Sequence, residues 1–110
     1  MGLEVAFQSR ELRSVCESPA RARRELGETA GIALRRQLAD LEAVDTMAEL
    51  SDMGLNFESC IHKLGLVRFP LSDGLYLYCE VNHRSVPMNG EQVDWTKVMR
   101  LKITSIGSGQ

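Results

Sequence analysis

Hydrophobic residues fall on every second position near the start of the chain and again through its second half. Near the start, Leu3, Val5 and Phe7 lie two residues apart, which predicts a short first strand with these side chains on one face. Four later runs are rich in β-branched and aromatic residues and each predicts a further strand: Phe57 to Lys63, Leu66 to Leu71, Leu75 to Val81 and Lys97 to Ile106. The chain therefore begins with one strand and ends with several.

Between these strands the hydrophobic residues recur at helical spacing, and capping residues mark where helical segments begin. The segments are a helix after Ser9, a short helix opened by Ser18-Pro19 and closed by Gly27, a longer helix from Glu28 to about Val44, and one further turn from Thr46 to Leu50. A strand, then helices, then a run of strands predicts an α+β domain. We expect an N-terminal strand and two to three helices packed on one face of a mainly antiparallel sheet of four to five strands.

The alternation within the later strands predicts which side chains lie on the sheet face that the helices leave uncovered. In the run Leu75 to Val81 the odd positions are apolar and face the helices, which leaves Tyr76, Tyr78 and Glu80 on the other face. In the last strand Met99, Leu101 and Ile103 are expected to point inward. Four basic side chains are then expected on or beside the uncovered face: Lys63, Arg68, Arg100 and Lys102.

Length and composition limit the class of protein. A chain of 110 residues, 44% hydrophobic and 25% charged, fits one soluble globular domain over residues 1–110. It has neither a signal-peptide pattern nor an apolar run of membrane-spanning length, so we expect a cytoplasmic protein without a membrane partner. Three widely spaced cysteines suggest buried free thiols rather than a disulfide or a zinc site. Because the net charge is −2, any RNA contact must be a local basic patch.

Two stretches of the sequence carry a family resemblance. The first contains Leu3 to Phe7, then Ser9, Leu12, Cys16, Gly27, Leu34-Arg35-Arg36, Leu38, Leu41 and Thr46, and the second is Val93 to Ile103 with Asp94-Trp95. On these residues the chain resembles the RelE/ParE superfamily of bacterial toxins, in particular the HigB-like group of plasmid-maintenance killer or killer-suppression proteins. Trp95 and Asp94 have a structural interpretation, in which a large ring and a turn aspartate fix the loop before the last strand.

The resemblance implies a RelE-like fold and a place in a type II toxin–antitoxin module. It also implies a cognate antitoxin that wraps the helices and the sheet edge, and a metal-free, cofactor-free endoribonuclease that cleaves messenger RNA on the ribosome. Such cleavage needs an acid, a base and cations around the reacting phosphate. Further partners to consider are the ribosome, messenger RNA and a second copy of the chain.

The candidate catalytic residues are His62, Lys63 and Arg68, and the candidate RNA-binding residues are Tyr76, Tyr78, Arg100 and Lys102. His83 is a further candidate acid or base, with a surface loop residue as the alternative interpretation. The tyrosines could stack on bases or pack across strands. Relatives usually end in an acidic residue, a tyrosine and a histidine. The last residues of this sequence are instead Ile106-Gly107-Ser108-Gly109-Gln110. Three functional hypotheses therefore stay open: a ribonuclease toxin, an inactive relative that binds proteins as an antitoxin decoy or a ParE-like inhibitor, and an unrelated protein-interaction domain.

Overall fold

The computed structural model describes residues 2–54, 57–60, 63–72 and 74–108, and in these the order of strand, helices and strands is the one predicted. The first half contains β1 (Glu4–Phe7), α1 (Arg10–Glu17), α2 (Pro19–Leu26), α3 (Glu28–Ala43) and α4 (Met47–Asp52). The second half contains β2 (Glu58–Ser59), β3 (Leu66–Ser72), β4 (Leu75–Val81), β5 (Met88–Asn89), β6 (Gln92–Val93), a 3₁₀ turn (Trp95–Lys97) and β7 (Arg100–Ser108).

Five strands form the main sheet in the order β1-β7-β4-β3-β2. β1 runs parallel to β7, with Glu4 opposite Arg100 and Phe7 opposite Ile103, while the other neighbouring pairs are antiparallel. The prediction of a mainly antiparallel sheet of four to five strands is therefore confirmed. The pairing of β4 with β7 shifts by one residue where Tyr78 faces Ser105 and Cys79 faces Ile103. This β-bulge leaves Thr104 as the extra residue, and its hydroxyl donates to the Tyr78 carbonyl at 3.2 Å.

Three of the four helices, α1, α2 and α4, begin at the capping residues that the sequence predicted. The Ser9 hydroxyl accepts the Leu12 N–H at 3.1 Å, and the Ser18 hydroxyl accepts the Arg21 N–H at 3.2 Å. The Glu49 carboxylate reaches back to the Thr46 N–H at 2.9 Å, as expected for a capping box. The described residues form four α-helices rather than two to three, because separate caps divide the helical region into separate segments.

The core lies between the helices and one face of the sheet. Leu34 and Leu41 of α3 are fully buried there. From the sheet, the buried side chains are Val67, Phe69, Leu77, Cys79, Leu101 and Ile103. The predicted alternation in β4 and in the centre of β7 is thus confirmed. Met99 is wrong as an inward residue: it is 52% exposed and precedes the strand, which begins at Arg100.

Several features of the second half differ from the prediction. In the run Phe57 to Lys63, the described residues form only the two-residue strand β2. The last strand begins three residues late, because Asp94 caps a 3₁₀ turn by accepting the Thr96 N–H at 3.1 Å. The loop before it contains a small hairpin of β5 and β6, which turns at Gly90 with a positive φ of 68°. None of the helices in the described ranges is long and apolar enough to cross a membrane.

Candidate RNA-binding face

The sheet face away from the helices, called here the open face, carries most of the residues that the sequence proposed for RNA chemistry. Strand register decides the neighbours on it: Arg68 lies opposite Tyr78, and Glu80 lies opposite Lys102. Residues on this face are Glu4, Glu58, Arg68, Tyr76, Tyr78, Glu80, Arg100 and Lys102. Lys63 lies just before β3 and reaches the same face through its contact with Glu80. All four of the proposed cations therefore lie on or beside the open face.

Arg68 is held by a carboxylate and by an aromatic ring. Its guanidinium lies 3.1 Å from a carboxylate oxygen of Glu58, the residue opposite it on β2. It also covers the Tyr76 ring, with 4.0 Å between the guanidinium carbon and the ring centroid. A hydrogen bond to Glu58 raises the pKa of Arg68, and a hydrogen bond to Tyr78 adds a smaller increase. Arg68 is therefore a fixed cation and cannot serve as a proton donor or acceptor near neutral pH.

Two more of the proposed cations are paired in the same way. The Lys63 ammonium forms a hydrogen-bonded ion pair with Glu80, and the Arg100 Nε atom lies 2.7 Å from a Glu4 carboxylate oxygen. These contacts join residues on different elements, so they depend on the tertiary fold. Each places a negative charge beside a side chain that was expected to meet a phosphate.

Lys102 differs from the other three cations, because it makes no ion pair within the part of the chain that the structure describes. It lies opposite Glu80 across the β4–β7 ladder, but the carboxylate of Glu80 is bonded to Lys63. The four basic side chains are thus matched by three carboxylates on or beside the same face. Most of the positive charge that the sequence predicted is compensated locally.

The two tyrosines are occupied by contacts within the protein. The Tyr78 hydroxyl donates to the Ser108 carbonyl at 3.0 Å, and the Tyr76 and Tyr78 ring centroids are 6.3 Å apart in a tilted arrangement. Because Arg68 already covers Tyr76, that ring is not an open platform for a base. The geometry favours the packing interpretation of these tyrosines over base stacking.

Of the two histidine candidates, the structure describes only His83, and it gives that residue a structural contact. His62 lies outside the described residues. His83 Nε2 accepts the backbone N–H of Met99 at 3.0 Å, so this nitrogen carries no hydrogen in the structure. The contact fixes the loop after β4 to the segment that leads into β7. His83 thus has a structural role that its position in a surface loop did not predict.

Sequence reasoning missed the acidic partners on this face. Glu80 was placed on the face by the alternation of β4, but Glu4 and Glu58 were not considered. In the sequence, each is only a glutamate at an outward position of a strand. Such residues are common on solvated sheets, so they do not indicate an ion pair. Which cation each carboxylate meets depends on strand order and register.

The aromatic anchor before β7 is confirmed. The Trp95 ring packs edge-on against Phe57 with 5.0 Å between centroids, and Phe57 in turn contacts Phe69 at 5.9 Å. Asp94 caps the same turn. These contacts tie the segment before β7 to the core, so the role of Trp95 is structural.

The thiols are free, but they are not equally buried. Cys16 and Cys79 are buried as expected, whereas Cys60 is half-buried. Burial, with a smaller contribution from Glu17, raises the pKa of Cys16 to about 11. Burial also raises the pKa of Cys79. Both buried thiols are therefore protonated and unreactive near neutral pH. Within the described ranges, no group of three or more histidine, cysteine or acidic residues could hold a metal ion.

No family model, curated protein or solved structure matches this chain. The resemblance to RelE/ParE toxins is therefore one of sequence alone, on the residues quoted above.

Proposed function

We propose that this chain is a toxin-like component of a bacterial type II toxin–antitoxin module that acts by binding a protein partner and does not cleave RNA. The sequence resemblance supports the family. An N-terminal strand followed by helices and a mostly antiparallel sheet is consistent with the architecture that the resemblance implies. The binding role follows from the chemistry of the open face.

The observation that carries this proposal is the pairing of Lys63, Arg68 and Arg100 with glutamates. Cleavage by a ribose 2′-hydroxyl builds negative charge on the phosphate, and a catalyst stabilises it with cations aimed at that point. A carboxylate beside each cation would repel the same phosphate. The face therefore offers little net stabilisation to a charged transition state.

A surface with interspersed charges of both signs is better suited to a protein than to a phosphate backbone. Charged side chains across protein interfaces are arranged in complementary pairs, which gives specificity. Nucleic-acid surfaces instead concentrate one sign of charge. The partner that fits the proposal is the cognate antitoxin, so the chain would act as a decoy or as an inhibitor that the antitoxin controls.

The ribonuclease alternative has one observation in its favour, which is the unpaired ammonium of Lys102 on a face that also holds three other cations. Binding of RNA could displace the glutamates and release those cations. The two functions differ in whether messenger RNA is cut.

The first experiment adds the purified chain to a cell-free translation system and maps messenger RNA ends by primer extension. We expect intact messenger RNA. Ribosome-dependent cuts that disappear in a folded Lys63→Ala, Arg68→Ala variant would overturn the binding-only proposal. A matched Arg23→Ala, Arg24→Ala variant removes two charges from exposed positions of α2 and should leave any genuine cutting unchanged.

The partner is tested separately by co-expressing the chain with each small protein that a directly adjacent gene encodes. Stoichiometric co-purification of the two proteins is the expected result. If a well-expressed neighbour does not co-purify with the folded chain, the toxin–antitoxin part of the proposal fails even when messenger RNA remains intact.

A further inference from the structure

The outer edge of β1 has backbone groups that no described strand uses. β1 is at one end of the sheet and pairs with β7 on one side only. The Glu4 N–H donates to the Met99 carbonyl at 3.0 Å, and the Gln8 N–H donates to the Ile103 carbonyl at 2.9 Å. The backbone groups of the even-numbered residues therefore point towards β7. Because the direction alternates along a strand, the N–H and C=O groups of Val5 and Phe7 point outward.

The outward edge is closed at its start. The Leu3 N–H also points away from β7, but it donates to the Val44 carbonyl at 2.8 Å. The chain becomes helical after Ser9, which caps α1. The stretch that can accept another strand is therefore short and centred on Ala6, with one usable residue on each side. The opposite edge of the sheet is less suitable, because β2 has only two residues.

A groove of about 450 Å³ lies along this edge on the helix side. Its apolar lining includes Leu3, Val5 and Phe7 from the first strand region and Leu38 from α3. An exposed strand edge beside an apolar groove is the arrangement used when a protein recognises a further strand. The backbone would supply hydrogen bonds, and the groove would take the side chains on the helix side.

The charges around the groove indicate what kind of strand fits. Four charged side chains line it, two of each sign: Arg13, Glu17, Arg35 and Glu42. Arg13 and Glu17 lie 3.8 Å apart and pair with each other, which leaves Arg35 and Glu42, one charge of each sign. A partner with one sign of charge would oppose one of these two. In a dimer with a two-fold axis, the patch of one copy meets the same patch of the other copy. Because the patch contains both signs of charge, each charged side chain can meet an opposite charge, as a self-complementary interface requires.

We propose that two copies of this chain associate through β1, antiparallel, about a two-fold axis at Ala6. In this register Val5 faces the partner subunit's Phe7, and the two residues exchange N–H···O=C bonds, as do their symmetry mates. All four outward donors of the two short edges are then used. An axis at Val5 would direct Phe7 to the occupied Leu3 position, and an axis at Phe7 would direct Val5 to the helix cap at Ser9.

The inference goes beyond the proposed function and does not depend on it. It makes a continuous ten-stranded sheet from the two five-stranded sheets, with the helices of both copies on the same side. The two grooves meet along the axis, so Val5 and Phe7 of both copies become covered. These side chains are half-buried in the single chain.

The first test is sedimentation equilibrium of the full chain from micromolar to submillimolar concentration. We expect a species of twice the 12.3 kDa chain mass. Val5→Pro removes an outward N–H but no bond to β7, and proline is tolerated in edge strands with this orientation. It should shift the protein to monomer, whereas the matched Val5→Ala variant keeps the N–H and should still dimerise. Circular dichroism melts establish that each variant is folded.

A second test reports the register and does not rely on Val5→Pro folding. Ala6 residues facing each other in a non-hydrogen-bonded pair have Cα atoms about 4.5 Å apart, within the range that a disulfide spans. In a Cys60→Ser background, Ala6→Cys should form a covalent dimer under mild oxidation. Glu4→Cys should not, because Glu4 faces the partner's Gln8 in this register.

Two results would overturn the inference. One is a chain that is monomeric at the highest concentration. This outcome counts against the inference even if the monomer binds an added extended apolar peptide at this edge. The other is a dimer that survives in folded Val5→Pro and gives no Ala6→Cys disulfide, which would locate the interface elsewhere.

Discussion

The three glutamates of the open face should suppress RNA binding, and removing their charges should release it. The perturbation is Glu4→Gln, Glu58→Gln and Glu80→Gln together, which keeps side-chain size and raises the net charge by three. In the native chain only Lys102 is unpaired among the four cations. In the variant, Lys63, Arg68 and Arg100 are also available to phosphates.

The magnitude follows from counterion release. For single-stranded RNA the logarithm of the association constant falls with the logarithm of salt concentration by about 0.7 per phosphate contact. One available cation predicts a slope of about −0.7, and four predict about −2.8. The assay is fluorescence anisotropy of a labelled single-stranded RNA titrated at several salt concentrations. The control Glu11→Gln, Glu25→Gln, Glu28→Gln has the same charge change at exposed positions of α1, α2 and α3.

Either of two results would contradict this prediction. A native chain that already shows the steep slope would mean that the glutamates do not compensate the cations. Equal slopes for the open-face variant and the control would mean that only net charge matters. Thermal melts establish that both triple variants remain folded.

Two further predictions concern stability. Phe69→Ala should lower the free energy of unfolding by about 3–5 kcal/mol in urea titrations, because the ring is fully buried and its loss leaves a cavity; a loss below about 1 kcal/mol would contradict the packing. The raised pKa of Cys16 should stabilise the fold fully below pH 9.0, its ordinary pKa, and this contribution should disappear as pH rises through about 11. Thermal melts across that pH interval should therefore show a smaller fall in melting temperature for Cys16→Ala than for the native chain. Equal falls would contradict the burial of this thiol.

The sequence predictions were most accurate for features that depend on residues close together in the chain. The bounds Leu75 to Val81 are those of β4, because period-two alternation is visible within seven residues. The starts of α1 and α2 follow from Ser9 and Ser18, whose hydroxyls bond three residues ahead. Such signals need no information from the rest of the chain.

Predictions that required partners from elsewhere were less complete. The run Phe57 to Lys63 has strand composition, yet only Glu58–Ser59 of its described residues pair with β3. The hairpin of β5 and β6 was missed, although Asn89-Gly90 is a recognisable turn signal. Strand composition gives a propensity, whereas pairing depends on which neighbour is available.

Patterns in the sequence were enough to predict an α+β chain with a first strand, capped helices and later strands, and to identify the cations of one sheet face. The position of β1 beside β7 comes from the tertiary fold, and it sets Glu4 next to Arg100. The tertiary fold likewise brings Glu80 to Lys63 and Glu58 to Arg68. Helix caps and alternation depend on neighbours in sequence, but the electrostatics of a surface depends on neighbours in space. Strand order and register, which come from packing the whole core, fix those neighbours.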